Sequence, residues 1–176
     1  MTSNLKYLLI SLLPLFAISS QAGDFEWSDL GLRVGIDAEN RVDVKSYELI
    51  AILESPWSWS ANDHFEIDLG FEFGLGALDG EGETGLLAHV GPSLEFEFGD
   101  FPLEFIISSG PALLSEHEFD NLDLGGSFQF MSAVGFDFEV SEEWTLGYRW
   151  LHISNAGLHD ENPGMNLHAL SLFYEF

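Results

Sequence analysis

The 176-residue chain sets 30 acidic residues against five Lys and Arg, a formal net charge of −25, yet 46% of it is hydrophobic and 14% aromatic, with 16 Phe. That charge excludes nucleic acid as a partner, because no basic surface exists to neutralise phosphates. So rich an aromatic content excludes the disorder that an acidic composition alone would suggest, and with no cysteine the fold must hold without disulfides.

The first element is "MTSNLKYLLISLLPLFAISSQA", residues 1–22: a single Lys6, an apolar run from Tyr7 to Ile18, and the small-x-small pattern Ser20-Gln21-Ala22. It reads as a secretory signal peptide cleaved after Ala22. Residues 23–176 then form one domain whose only basic side chains besides histidine are Arg33, Arg41, Lys45 and Arg149. The apolar run falls short of the roughly 20 residues that a membrane-spanning helix needs, and no later segment reaches that length.

Eight β-strands follow, at 30–37, 42–54, 64–78, 85–98, 102–114, 127–140, 144–154 and 166–176. The third shows the reasoning best. In "HFEIDLGFEFGLGAL" the residues Phe65, Ile67, Leu69, Phe71, Phe73, Leu75 and Ala77 alternate with polar residues or glycine, a period of two that no amphipathic helix fits. The same alternation runs through "SLEFEF", "SFQFMSAVGFDFEV", "WTLGYRWLHIS" and "LHALSLFYEF". Connections alternate in length: "GDFP" and "SEE" are short, while "DGEGET" and "SEHEFDNLDLGG" are longer and acidic. The segment "SPWSWSAND" at 55–63 is the least regular piece and reads as a linker.

An even number of amphipathic strands with alternating short and long connections predicts an all-β fold, an eight-stranded antiparallel transmembrane β-barrel. Lipid forbids open sheet edges, so the sheet must close. A secreted β-sandwich with the same alternation is the soluble alternative; the ending "LSLFYEF", with Phe176, Tyr174, Leu172 and Leu170 on one face, resembles the C-terminal signature of outer-membrane barrels and favours the barrel. Eight strands leave an interior that side chains can fill, so no pore is expected. Glu66, Asp68, Glu72, Glu95, Glu97, Asp137, Glu139 and Glu175 face that interior, with Arg149 their obvious positive partner from the later strands.

In the seventh strand Trp144, Leu146, Tyr148 and Trp150 face lipid, and by the same parity so do His152 and Ser154. Asn166 and His168 share the outer face of the eighth. With both termini at the periplasmic side, His152 and Ser154 stand at the extracellular end, at the depth of the outer leaflet. Two residues i, i+2 on one strand face lie about 7 Å apart along the backbone, close enough for an imidazole to take a serine proton and create a nucleophile. Taken alone the pair also reads as ordinary polar groups at a membrane interface.

The wider stretch "HISNAGLHDENPG" resembles the signature of the PagL family, outer-membrane lipid A 3-O-deacylases, over Arg149 to Gly164. The resemblance implies a serine esterase on the barrel's outer wall, with lipopolysaccharide as substrate, the outer membrane as location and a site facing the outer leaflet. Carried over by position, His152 resembles the general base and Ser154 the nucleophile. Asn162 resembles the asparagine of the oxyanion hole, with the Gly157 N–H beside it, and Asn155 would shape the loop. Such oxyanion donors contribute about 10²- to 10³-fold in rate.

The family's third position, a glutamate, is Asn166 here. An asparagine can orient the imidazole but cannot balance imidazolium by charge, and the corresponding Asp-to-Asn change in serine proteases costs about 10⁴ in kcat. Asn166 therefore serves as orienter in a slower enzyme, or Asp160 or Glu161 replaces the acid, or the chain is an inactive structural barrel of the family; an outer-leaflet phospholipase using the same residues is a further alternative. This chemistry needs no cofactor, and a homodimer stays open. No metal is expected, because His89, His117, His159 and His168 lack convergent ligand spacing. "GEGETG", Gly80 to Gly85, matches a dinucleotide fingerprint but precedes no helix and would repel a pyrophosphate. No G-x-S-x-G of a soluble α/β-hydrolase occurs.

Overall fold

The computed structural model describes residues 24–62, 64–80, 82–119 and 121–176; the expected signal peptide lies outside the described residues. Its strands are β1 (Glu26–Asp37), β2 (Val44–Asn62), β3 (Phe65–Gly80), β4 (Glu83–Glu97), β5 (Leu103–Leu114), β6 (Glu118–Phe119), β7 (Leu122–Asp123), β8 (Phe128–Ser141), β9 (Trp144–Ser154) and β10 (Met165–Glu175). Eight of them close into an antiparallel barrel in the order β1-β10-β9-β8-β5-β4-β3-β2, and β6 pairs with β7 as a separate small hairpin. The eight-stranded barrel expected from the alternation is the fold observed.

One expectation is corrected. The segment 55–63 is not a linker up to Asn62, because β2 runs on through it, with Ser58, Trp59 and Ser60 paired to Asp68, Ile67 and Glu66 of β3. Register slips between Glu54 and Ser58, where Pro56 cannot supply an N–H to the ladder and a bulge absorbs the mismatch. At the opposite end the acidic "DGEGET" is tighter than expected, since β3 and β4 stay paired out to Gly80 and Glu83. The long acidic connection after β5 holds the β6–β7 hairpin.

The barrel wears its apolar residues outside. Leu32 on β1 is 64% exposed, Leu170 on β10 62% and Leu75 on β3 62%, and such a belt around a closed barrel is stable only against hydrocarbon. Inside, two layers divide the space. Toward the end that carries the connections 38–43, 115–127 and 155–164, Val44, Leu78, Leu87, Leu151, Ile153, Met165 and Leu167 are fully buried, and Phe119 and Leu124 from the acidic connection cap them. That apolar plug makes the upper half a true core.

Below it the interior is polar and paired. Arg33 Nη1 and Nη2 donate to the two Glu72 carboxylate oxygens at 3.1 and 2.6 Å, and Arg149 Nη1 and Nη2 donate to Asp137 at 2.7 and 2.5 Å. His89 Nε2 lies 3.0 Å from Glu48. Arg33 is thus a second interior cation, on β1, beside the Arg149 that the pattern singled out. Lower still, Asp29, Glu54, Glu95, Glu104 and Glu175 surround a residual cavity of about 60 Å³.

Candidate active site

Alternation along β9 sends Leu151 and Ile153 into the apolar plug, both fully buried, and so turns His152 and Ser154 outward. The antiparallel register then places Asn166 of β10 directly opposite His152, and Ser132 of β8 opposite it on the other side. His152 Nδ1 donates to Asn166 Oδ1 at 2.7 Å. On the same face, one step below, the Trp150 ring stacks against the imidazole with centroids 6.2 Å apart and an interplanar angle of 14°. From above, Gly164 closes on the ring: its φ is +64°, and a Cβ there would sit 3.0 Å from His152 Cε1. Only glycine meets both demands without strain.

The sequence-derived residues are thus partly assembled. His152 and Asn166 are hydrogen-bonded, and Ser154 stands two residues along on the same wall without a hydrogen bond to His152 among the described contacts. In substrate-free enzymes that contact is often long and tightens on binding. Asp160 and Glu161, named as substitutes for the missing acid, are both exposed, and among the described residues neither side chain is bonded to His152.

Above the wall, the connection 155–164 is organised by Asn155, which is fully buried. Its Nδ2 donates to the carbonyls of Leu124 at 2.9 Å and Glu161 at 2.7 Å, and its Oδ1 accepts the Gly157 N–H at 2.9 Å. Its own N–H donates to Asn162 Oδ1 at 3.1 Å. Because the Asn162 carbonyl is turned to Asn155, its amide NH₂ points the other way and is free to donate. The Gly157 N–H, by contrast, is already engaged and would have to share itself with an oxyanion. Ala156 and Gly157 both take positive φ, 55° and 80°, which reverses the chain above Ser154.

Sequence reasoning missed Glu39. It lies in the β1–β2 connection, and its Oε1 accepts from Asn166 Nδ2 at 3.0 Å, while Arg41 Nη2 reaches its Oε2 at 2.5 Å and the Gly164 carbonyl at 2.8 Å. Barrel closure brings it there: β1 pairs with β10, and the Ala38 N–H donates to the Asn166 carbonyl at 2.8 Å. Following the loop after the first strand onto the start of the last would have found it.

Ligand atoms of His117, Glu118 and Asp123 gather within 4.8 Å of one another on the β6–β7 hairpin, a juxtaposition that histidine spacing alone did not disclose. Asp123 is committed locally: its Oδ1 accepts from the Gly125 N–H at 2.7 Å and lies 3.0 Å from His117 Nδ1. Those contacts, the Gly125 N–H first, hold its carboxyl below the usual range.

A closed barrel with an apolar exterior and a histidine, a serine and an oriented asparagine on its lipid-facing wall defines a class, the membrane β-barrel that carries polar chemistry on its outside. Residues 45–175 match the family model described as lipid A 3-O-deacylase (PagL), and the chain belongs to that family. It is 33% identical over 67 residues to a lipid A deacylase PagL of Bordetella bronchiseptica, covering 38% of each chain. With a protein of the same name from Pseudomonas aeruginosa it shares 32% identity over 110 residues, 61% of each. The matched segments therefore span less than two thirds of these relatives' own length. The crystal structure of the outer membrane enzyme PagL superposes with a TM-score of 0.71 at 22% identity, over 82% of this chain and 97% of that one. The barrel is of the outer-membrane type.

Proposed function

We propose that the chain is an outer-membrane lipid A 3-O-deacylase, a serine esterase that removes the ester-linked acyl chain at the 3-position of lipopolysaccharide from the side of the barrel. The observation that carries this reading is the bond from His152 Nδ1 to Asn166 Oδ1 on the lipid-facing wall beside Ser154. With Nδ1 donating, Nε2 keeps its lone pair and is the base. Nε2 takes the Ser154 proton as Oγ attacks the ester carbonyl. The tetrahedral oxyanion is held by the Asn162 amide and a shared Gly157 N–H. The intermediate collapses as the imidazolium protonates the departing sugar oxygen. Water, activated by the same nitrogen, then attacks the acyl-enzyme and frees the fatty acid together with Ser154 Oγ. This sequence needs no cofactor. Segment 1–22 belongs to the same reading, as the signal for export.

The test is to express the chain in bacteria and follow lipid A by mass spectrometry beside Ser154→Ala. Loss of one hydroxyacyl mass with the unaltered protein, abolished in the variant, is the expected result. Intact lipid A beside a folded, membrane-inserted barrel would overturn the deacylase reading, and fatty acid released from phospholipid instead would make the enzyme a phospholipase.

A further inference from the structure

We infer that Glu39 is the site's missing acid, acting as a positioning residue through Asn166 rather than on the imidazole itself. The inference rests on the esterase reading for its role in catalysis, but its physical core stands on geometry alone. An asparagine at this position has a defect: its side chain can present either end to histidine, and only the carbonyl leaves Nε2 basic. If the NH₂ faced the ring, it would donate to a lone pair on Nδ1, the proton would move to Nε2, and the base would be lost. That wrong tautomer is what makes the Asp-to-Asn change so damaging in serine proteases.

Glu39 removes the ambiguity. An ionised carboxylate only accepts, so with Glu39 Oε1 3.0 Å away the Asn166 NH₂ must face Glu39. The carbonyl must then face His152, where it lies 2.7 Å from Nδ1. The amide becomes a one-way relay between carboxylate and imidazole. Arg41 fixes the carboxylate in turn, reaching its second oxygen at 2.5 Å while its guanidinium also holds the Gly164 carbonyl at 2.8 Å. Arg41 is anchored through its own N–H to Asp37 Oδ2 at 2.8 Å.

The experiment takes the full-length protein in the membrane and measures kcat and KM of acyl release, together with the ring-nitrogen NMR shifts of neutral His152, which report which nitrogen carries the proton. The set is wild type, Glu39→Gln, Asn166→Glu, and the double substitution. Glu39→Gln should lower kcat about tenfold with KM unchanged. It should also move the neutral His152 ring from the Nδ1-protonated tautomer toward a mixture of the two, because the Asn166 amide is no longer held with its carbonyl to the ring. Asn166→Glu alone sets two carboxylates against each other and should gain little. Combined with Glu39→Gln it should exceed wild type, so that the two substitutions are strongly non-additive.

Unchanged kcat and an unchanged His152 tautomer in Glu39→Gln would overturn the inference. So would a double variant no better than Glu39→Gln, since a purely structural role in bracing Arg41 would not be rescued by an acid at 166. An inert wild type would instead defeat the esterase reading, and the tautomer seen by NMR would still decide the relay.

Discussion

Asn155 offers the most direct way to separate the loop proposed to hold the oxyanion from the wall proposed to hold the nucleophile. In Asn155→Ala the buried Leu124 carbonyl loses one of its two donors, keeping Gln129 Nε2 at 3.0 Å, and the Glu161 carbonyl loses one near the surface. A hydrogen bond lost without leaving a buried orphan costs about 1 kcal/mol, so the connection 155–164 loses roughly 2 kcal/mol of local stability, a factor of about 30 in its ordered population. The barrel ladder touches none of this and should survive. The expected outcome is a kcat reduced by about 10²-fold, the scale of one oxyanion donor, with the heat-modifiable gel mobility of a folded barrel retained and amide exchange at Gly157 and Leu158 accelerated. The reasoning also carries its own opposite. If the Gly157 N–H were useful only when released from Asn155 Oδ1, the same substitution would free it and raise kcat. Activity equal to or above wild type, with the barrel folded, would therefore refute the view that Asn155 assembles the hole.

Two more outcomes follow from the packing. Arg149→Met should leave Asp137 buried beside an apolar side chain and lower stability by about 3–5 kcal/mol, whereas Arg149→Met with Asp137→Leu should recover most of that; urea titration in lipid or detergent measures both, and equal losses would contradict it. Gly164→Ala must take a left-handed conformation at about 1–2 kcal/mol and presses a methyl on His152 Cε1, so kcat should drop about tenfold with the fold intact, and an unaltered rate would show that the imidazole is not held from above.

The barrel was legible because its evidence is local. A period of two needs only neighbouring residues, and wherever one face is apolar the pattern declares both strand and side. The outward facing of His152, Ser154 and Asn166 was legible for a related reason, since they lie on the last two strands and share a single antiparallel register; their expected roles came from the resemblance of the stretch around them to the PagL family. What escaped depends on contacts far apart in sequence. Glu39 meets Asn166 across 127 positions, and Arg33 meets Glu72 across 39, both products of closure rather than of any pattern within a strand. The bulge near Pro56 escaped because proline reads as a strand breaker until a partner strand shows that the chain can step over it.

The two halves of the site are held by different physics, and the acidic connection after β5 links them. The backbone of His152 and Ser154 is placed by the strand itself: each is flanked along β9 by Leu151 or Ile153, whose burial in the plug locks the strand, and groups on a packed strand are placed more firmly than groups on a loop. The proposed oxyanion donors, Asn162 and Gly157, sit on a connection with no ladder of its own, so its order must come from buried polar contacts. Asn155 provides them, but only because the Leu124 carbonyl is there to accept. Leu124 is there because it, Phe119 and Leu122 bury their side chains over the plug. The apolar residues scattered through "SEHEFDNLDLGG" thus do for the loop what alternation does for the wall, and a segment that reads as a solvated acidic run is the clamp that orders the connection carrying Asn162 and Gly157.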